Sequence, residues 1–347
     1  MSLLTSLISH QIWLQRTASG EVKDLAPFIK EMRDEIKRQV LLFGDDGRST
    51  ARLNKLLHDL EEALTGLTGD WQTKLTEDLK ELAAYEAEWN VKTLTANVNA
   101  EFVTPTAEQV WAAAEFQPLS LSDKPVDFTK LMDGWGETEV SRLVTGVKMG
   151  FVQGQTTRQI VKNVVGAGGL ADISERNAAA VIRTALSHVS NEARNETYRQ
   201  NDDIIEKYEW VSTLDSRTST ICRARDGMTW EIGKGPMPPA HPNCRSCTAP
   251  VISSEFDFLD KGAKRAAKGA DGGTQVSADT TYYEFLKQQP AWFQDQALGP
   301  VRGKIFRNSG ISLEEFRVIS VDGFGNPLTL KQMAELDKRV ADYLKGE

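Results

Sequence analysis

Apolar positions recur every three or four residues along most of this chain, which is the period of an amphipathic helix. Val22, Leu25, Ile29, Met32, Ile36 and Val40 form one stripe, and it stops at Gly44-Asp45-Asp46-Gly47. A second helix is capped by Ser49 or Thr50 and carries Leu53, Leu56, Leu57, Leu60, Leu64 and Leu67. After Gly69, Leu75, Leu79, Leu82 and Trp89 predict a third, with Glu77, Asp78, Lys80 and Glu81 on its outer face. Stripes of this kind face the core of a bundle. Pro105, Pro118 and Pro125 mark residues 101 to 128 as a connector with one short helix near Ala107 to Phe116. Helical periodicity then resumes near Glu137, through Val140, Leu143, Val144, Val147 and Phe151, and ends at Gly154. Thr156 is placed to cap a helix carrying Ile160, Val161, Val164 and Val165. A long helix runs from Ser174 towards Gln200 with Ala178, Val181, Ile182, Ala185, Leu186, Val189 and Ala193 inward. Between these two, Gly166-Ala167-Gly168-Gly169 reads as a turn, because no Lys-Ser/Thr follows it as in a phosphate loop.

The pattern then changes. Tyr208 to Thr213 alternates and is aromatic and β-branched, which predicts a strand, and Thr248 to Ile252 is its natural partner. Residues 254–280 are rich in Gly, Ala, Ser and Lys and read as a mobile loop; after Tyr282 come short helices, a strand-like Phe316 to Val321, and a terminal helix capped by Thr329. The expected fold class is α+β, predominantly α-helical. An N-terminal helical domain and connector (1–128) precede a helical domain with a small β element carrying a Cys/His-rich loop (129–253). A flexible basic loop (254–281) and a C-terminal α+β extension (282–347) complete it.

Composition adds limits more than content. With 347 residues, 40% hydrophobic and 26% charged, the chain has ample interior for a globular protein and is neither disordered nor fibrous. A net charge of −8 argues against a surface that clamps phosphates throughout, while Lys261, Lys264, Arg265 and Lys268 leave one basic patch where packaged nucleic acid is a candidate partner. No apolar run approaches the roughly 20 residues of a membrane-spanning helix, and the N-terminus does not read as a signal peptide, so synthesis in a cytosol is expected.

The chemistry is concentrated between Trp210 and Ile252, which holds all three cysteines and one of the four histidines. Cys222, His241, Cys244 and Cys247 read C-x18-H-x2-C-x2-C, a set of thiolates and imidazole that suits tetrahedral zinc. Pro238, Pro239 and Pro242 stiffen the approach to the ligand turn. A closed Cys3His shell is structural and activates no water; reduced thiols without metal, and a catalytic metal, are the alternatives. Asp215, Arg217, Thr218, Asp226 and His241 also allow a hydrolytic reading, with His241 as base and Arg217 holding a phosphate. Against it, Asp215 and Thr218 can cap turns while Arg217 pairs with a nearby carboxylate.

The segment TLDSRTSTICRARDGMTW followed by PPAHPNCRSC resembles the signature of the Mu F-like phage head morphogenesis family, the minor head proteins of tailed phages. The matching positions are Thr213, Asp215, Arg217, Thr218, Cys222, Asp226, Gly227, Pro238, Pro239, His241, Pro242, Cys244, Arg245 and Cys247, and the likeness extends over roughly residues 137 to 335. Two departures stand out: Cys244-Arg245-Ser246-Cys247 replaces the family's C-R-C, and Arg183-Thr184-Ala185 replaces an Arg-Thr-Glu. The first ~130 residues match no motif of the family. The resemblance implies a non-enzymatic virion component inside the head near the portal vertex, made in the host cytoplasm. Portal protein is the implied partner, with major capsid or scaffold protein as further candidates, and no membrane is involved. A cytosolic zinc-stabilised binding module is the remaining alternative.

Overall fold

A computed structural model describes residues 2–45, 49–98, 100–121, 125–252 and 263–345. Asp46, Gly47 and Lys261, singled out above, lie outside them. Seven helices form the larger part of the molecule: α1 (Leu3–Asp24), α2 (Ala26–Phe43), α3 (Thr50–Asn97), α4 (Ala107–Phe116), α5 (Phe128–Val152), α6 (Thr157–Val165) and α7 (Leu170–Arg199). Most start where a side chain satisfies the free N–H groups of the first turn: Ser49, Thr106, Asp127 and Thr156 each accept from the backbone there.

Two boundaries differ from the sequence pattern. The Val22 to Val40 stripe is divided between α1 and α2 at Leu25, because Pro27 brings no N–H to a continuing helix but fits the first turn of a new one. Conversely, Gly69 does not end a helix. α3 runs through Gly66 and Gly69 for 48 residues, since both glycines face open space while Leu60, Leu64, Trp71 and Leu75 on the inner face stay buried. Each interior glycine costs about 1 kcal/mol relative to alanine, less than the burial of any one of those neighbours contributes.

One apolar core runs from Leu14 on α1 to Ala193 on α7 without interruption at residue 128. Trp71 of α3 meets Trp135 of α5 edge to face at 4.4 Å within it. A three-stranded antiparallel sheet follows, in the order β2 (Thr229–Glu231), β1 (Ile205–Val211), β3 (Cys247–Ile252), with Trp210 opposite Thr248 and Val211 opposite Cys247. Leu3, Leu7, Leu94, Tyr198, Tyr208 and Val211 form a second cluster that fastens this sheet to α1, α3 and α7.

Residues 264–277 correct the expectation of a loop. They form a hairpin, β4 (Lys264–Gly269) and β5 (Gly272–Ser277), with Gly272 at φ +105° supplying the turn. Its small residues hide a period of two, in which Arg265 and Ala267 are buried while Lys264 and Lys268 are exposed. The hairpin packs on a C-terminal cluster of α9 (Tyr282–Lys287), α10 (Ala291–Leu298), α11 (Pro300–Asn308), α12 (Leu313–Val318), α13 (Leu330–Leu336) and α14 (Lys338–Lys345). A strand was expected from Phe316 to Val321; residues 316–318 are instead the end of the helix α12, and Val321 makes only an isolated bridge to Pro327. Ser312 and Glu315 form a capping box there, and that local signal overrides the β-branched composition.

Candidate metal centre

Between β1 and β3 the chain makes a 35-residue excursion, 212–246, whose regular elements are β2 and one short helix, α8 (Thr220–Arg225). Ser219 caps α8 by accepting from the N–H of Cys222. The buried ion pair of Asp226 and Arg265 fixes the far end of the helix: the carboxylate receives Arg265 Nη2 at 3.0 Å and Nη1 at 3.1 Å, and also the N–H of Ser212 at 2.7 Å. Arg265 Nη2 donates onward to the carbonyl of Ser212 at 2.6 Å. The most central cation of the expected nucleic-acid patch is therefore internal, leaving Lys264 and Lys268 as the exposed cations of that patch among the described residues.

α8 presents Cys222 to a turn that carries His241 and Cys244. Asn243, between the two, adopts φ +59°, and its N–H donates to Thr184 Oγ1 on α7 at 3.1 Å. His241 Nδ1–H donates to the carbonyl of Pro242 at 2.9 Å, which leaves the Nε2 lone pair pointing inward, the tautomer a metal ligand needs. Cys222 Sγ lies 3.3 Å from His241 Nε2 and 3.6 Å from Cys244 Sγ, and the three ligand atoms all lie within 4.8 Å of one another. Bonds of about 2.3 Å to sulfur and 2.0 Å to nitrogen in a tetrahedron require about 3.8 Å between two sulfurs and about 3.5 Å between sulfur and nitrogen. Cys222 already stands at nearly those separations from both partners, so the donor set fits a zinc-like ion.

The electrostatics agree. The two buried thiols compete for ionisation: the contact with Cys222, assisted by His241, pulls Cys244 well below the ordinary thiol range, and the hydrogen bond with Cys244, together with burial, holds Cys222 above it. Burial opposes protonation of His241, but its contact with Cys244 prevails and raises it. An ion would replace these shared protons with a single divalent charge.

Cys247, expected as the fourth ligand, is not in this group. It starts β3 opposite Val211 and packs with Tyr198 and Ala249. Burial raises its thiol, opposed chiefly by the Arg194 guanidinium beside it. The pattern of cysteine spacing cannot show that β-pairing carries this residue away from the turn.

Asp215 and Arg217 lie at the edge of the site and do not combine with His241. Asp215 receives a forked pair of hydrogen bonds from Arg245 at 2.6 and 2.9 Å, together with the N–H of Arg217 at 2.9 Å and the hydroxyl of Thr218 at 3.1 Å. Burial disfavours its charge, yet the Arg245 fork more than offsets this and keeps the carboxyl below its usual range. Among the described residues no hydrogen bond joins Asp215 to His241. The Arg217 side chain is largely exposed and approaches Asp215 only at 3.7 Å. Thr213, Arg217, Ser219, Cys222, His241 and Arg245 border a cavity of about 30 Å³, enough for one small species. Sequence reasoning missed Thr184, Ser219 and Arg265; only Ser219, as a cap before a short helix, left a readable signal.

No helix among the described residues is long and apolar enough to cross a membrane. Residues 141–249 match the family model described as Phage Mu protein F like protein, which bears out the resemblance drawn from the motif; the match does not extend to the residues beyond 249. No curated protein and no solved structure matches the chain.

Proposed function

We propose, from the premise that residues 141–249 belong to the Mu F-like phage head morphogenesis family, that this chain is a minor head protein of a tailed phage. On this reading it is a structural component carried inside the head near the portal vertex, acting in head assembly and in DNA packaging or ejection. The family match over the segment that contains the candidate metal centre is the observation that carries the reading. Portal protein is the principal partner, with capsid or scaffold protein as others. Zinc held by Cys222, His241 and Cys244 ties the turn at 241–244, near the end of the 212–246 excursion, to α8 and stabilises the segment in a reducing cytosol without catalysing a reaction. The engagement of Asp215 by Arg245 supports a structural role over a hydrolytic one.

Mass spectrometry of purified procapsids and virions tests the reading. The chain is expected in both, in low copy, and a phage deleted for it is expected to give defective heads. Its absence from both particles would remove the head-protein assignment. Nucleic acid incubated with the purified chain is expected to stay intact; cleavage that disappears in His241→Ala would replace the structural reading with an enzymatic one.

A further inference from the structure

The described part of the chain brings three ligands together, and a tetrahedral ion takes four. Cys247 lies outside this group, packed with Tyr198 and Ala249. The face of the cluster bordered by Cys222, His241 and Ser219 opens on the cavity of about 30 Å³, whose rim also carries Arg217. Two thiolates cancel the charge of a divalent ion, so the centre itself is neutral. Arg245 is neutralised by Asp215, whereas the Arg217 side chain is 78% exposed and only loosely tied to that carboxylate, which leaves positive potential at the rim. A cavity of this size admits a solvent molecule or a slender anion.

We infer that the ion held by Cys222, His241 and Cys244 takes its fourth ligand from outside the chain, a solvent molecule that a slender monovalent anion displaces. This rests on the zinc reading above and changes its character: the centre is a three-ligand site with one exchangeable position, stabilised at the rim by Arg217, and not a closed knot. Ser219 Oγ, 2.8 Å from His241 Nε2, borders the same position as a hydrogen-bond partner for the exogenous ligand.

Cobalt(II) exchanged into the full-length protein, with azide as the probe, tests this. Metal analysis comes first: a protein purified without bound metal that also fails to take up cobalt overturns the zinc reading itself. If cobalt binds, the thiolate charge-transfer bands are expected, and azide is expected to shift the d–d bands saturably. Arg217→Ala is expected to keep the metal but weaken azide by about threefold, as loss of an exposed charge does. Cys247→Ser is expected to retain cobalt and its azide response. A metal-loaded protein whose spectrum ignores azide overturns the inference while leaving the zinc reading in place. So does a response that appears only in Ser219→Ala, which would make Ser219 the fourth ligand. Retention of cobalt with an unchanged azide affinity in Arg217→Ala removes the rim from the proposal.

Discussion

Asn243 donates its backbone N–H to Thr184 Oγ1 over 3.1 Å, and Thr184 in turn donates to the carbonyl of Ala180 over 2.7 Å. The left-handed residue between two ligands is thereby hung on the long helix α7, so the turn bearing His241 and Cys244 inherits the rigidity of the helical core. Thr184→Val keeps the side-chain shape but removes the acceptor. The unpaired N–H is expected to cost about 1–2 kcal/mol, read as a lower melting temperature and faster metal loss to a chelator at unchanged helix content. Unaltered metal loss would show that the turn holds its form without α7.

The pair of Asp226 and Arg265 makes a stronger demand. Both side chains are buried, and they tie the start of the excursion at Ser212 and the end of α8 to the hairpin. Asp226→Asn or Arg265→Leu alone leaves an uncompensated group in the interior and is expected to cost about 3–5 kcal/mol in urea denaturation. The double change Asp226→Leu with Arg265→Leu is expected to recover a large part of that loss. Two single changes within about 0.5 kcal/mol of the parent would mean that solvent reaches the pair.

These cases mark what the sequence carries. Helices with apolar stripes and polar caps, such as those begun by Thr106, Thr156 and Thr329, are legible because the signal is local. The strands β1 and β3 are legible as well, since aromatic and β-branched residues alternate before the cysteine-rich loop and Thr248, Val251 and Ile252 follow it. The site is half legible. Cys222, His241 and Cys244 announce metal by type, but membership of the cluster depends on which face of a strand each residue takes, and the pattern could not remove Cys247. Arg265 reads as part of a basic patch, because nothing near it in sequence reveals a carboxylate 39 residues away.

Two buried titrating groups on α7 act in opposite directions on stability. His188 Nε2–H donates to the carbonyl of Ala114 at 2.8 Å, and burial lowers its pKa to about 4. Between pH 4 and 6.5 the unfolded chain therefore binds more protons at this residue, and stability falls as the pH falls. Burial raises Glu192 to about 7, despite hydrogen bonding from Asn195. Between pH 4.5 and 7 the folded chain holds the extra proton, so its contribution is fully present below 4.5 and is lost as the pH rises through 7. Each window corresponds to about 3 kcal/mol, and the two slopes nearly cancel where they overlap. Glu192→Gln removes one of them. It is expected to be more stable than the parent above pH 7 and to lose stability more steeply on acidification to pH 4.5, in denaturant titrations at a series of pH values. A variant with the parent's pH profile would place the Glu192 carboxyl in contact with solvent.

Removal of the metal is expected to open one segment and spare the rest. Cys222 and Cys244 belong to a small cluster with Trp210 and Ala240, separate from the core that runs from Leu14 to Ala193. Outside α8 and β2, residues 212–246 are held by turns and side-chain hydrogen bonds, so a metal tether across Cys222, His241 and Cys244 restricts a long stretch of otherwise irregular chain. Chelation, or Cys244→Ser, therefore acts chiefly on local opening, and loss of even about 1.4 kcal/mol raises the open population tenfold. Limited proteolysis is expected to show at least that increase in cleavage within 212–246, while far-UV circular dichroism retains the helical signal of α1 to α7. Cuts appearing together in α3 or α7 would mean that the metal supports the whole fold, and equal cleavage with and without chelator would mean that the segment holds itself closed through Thr184, Asp226 and Arg245 alone.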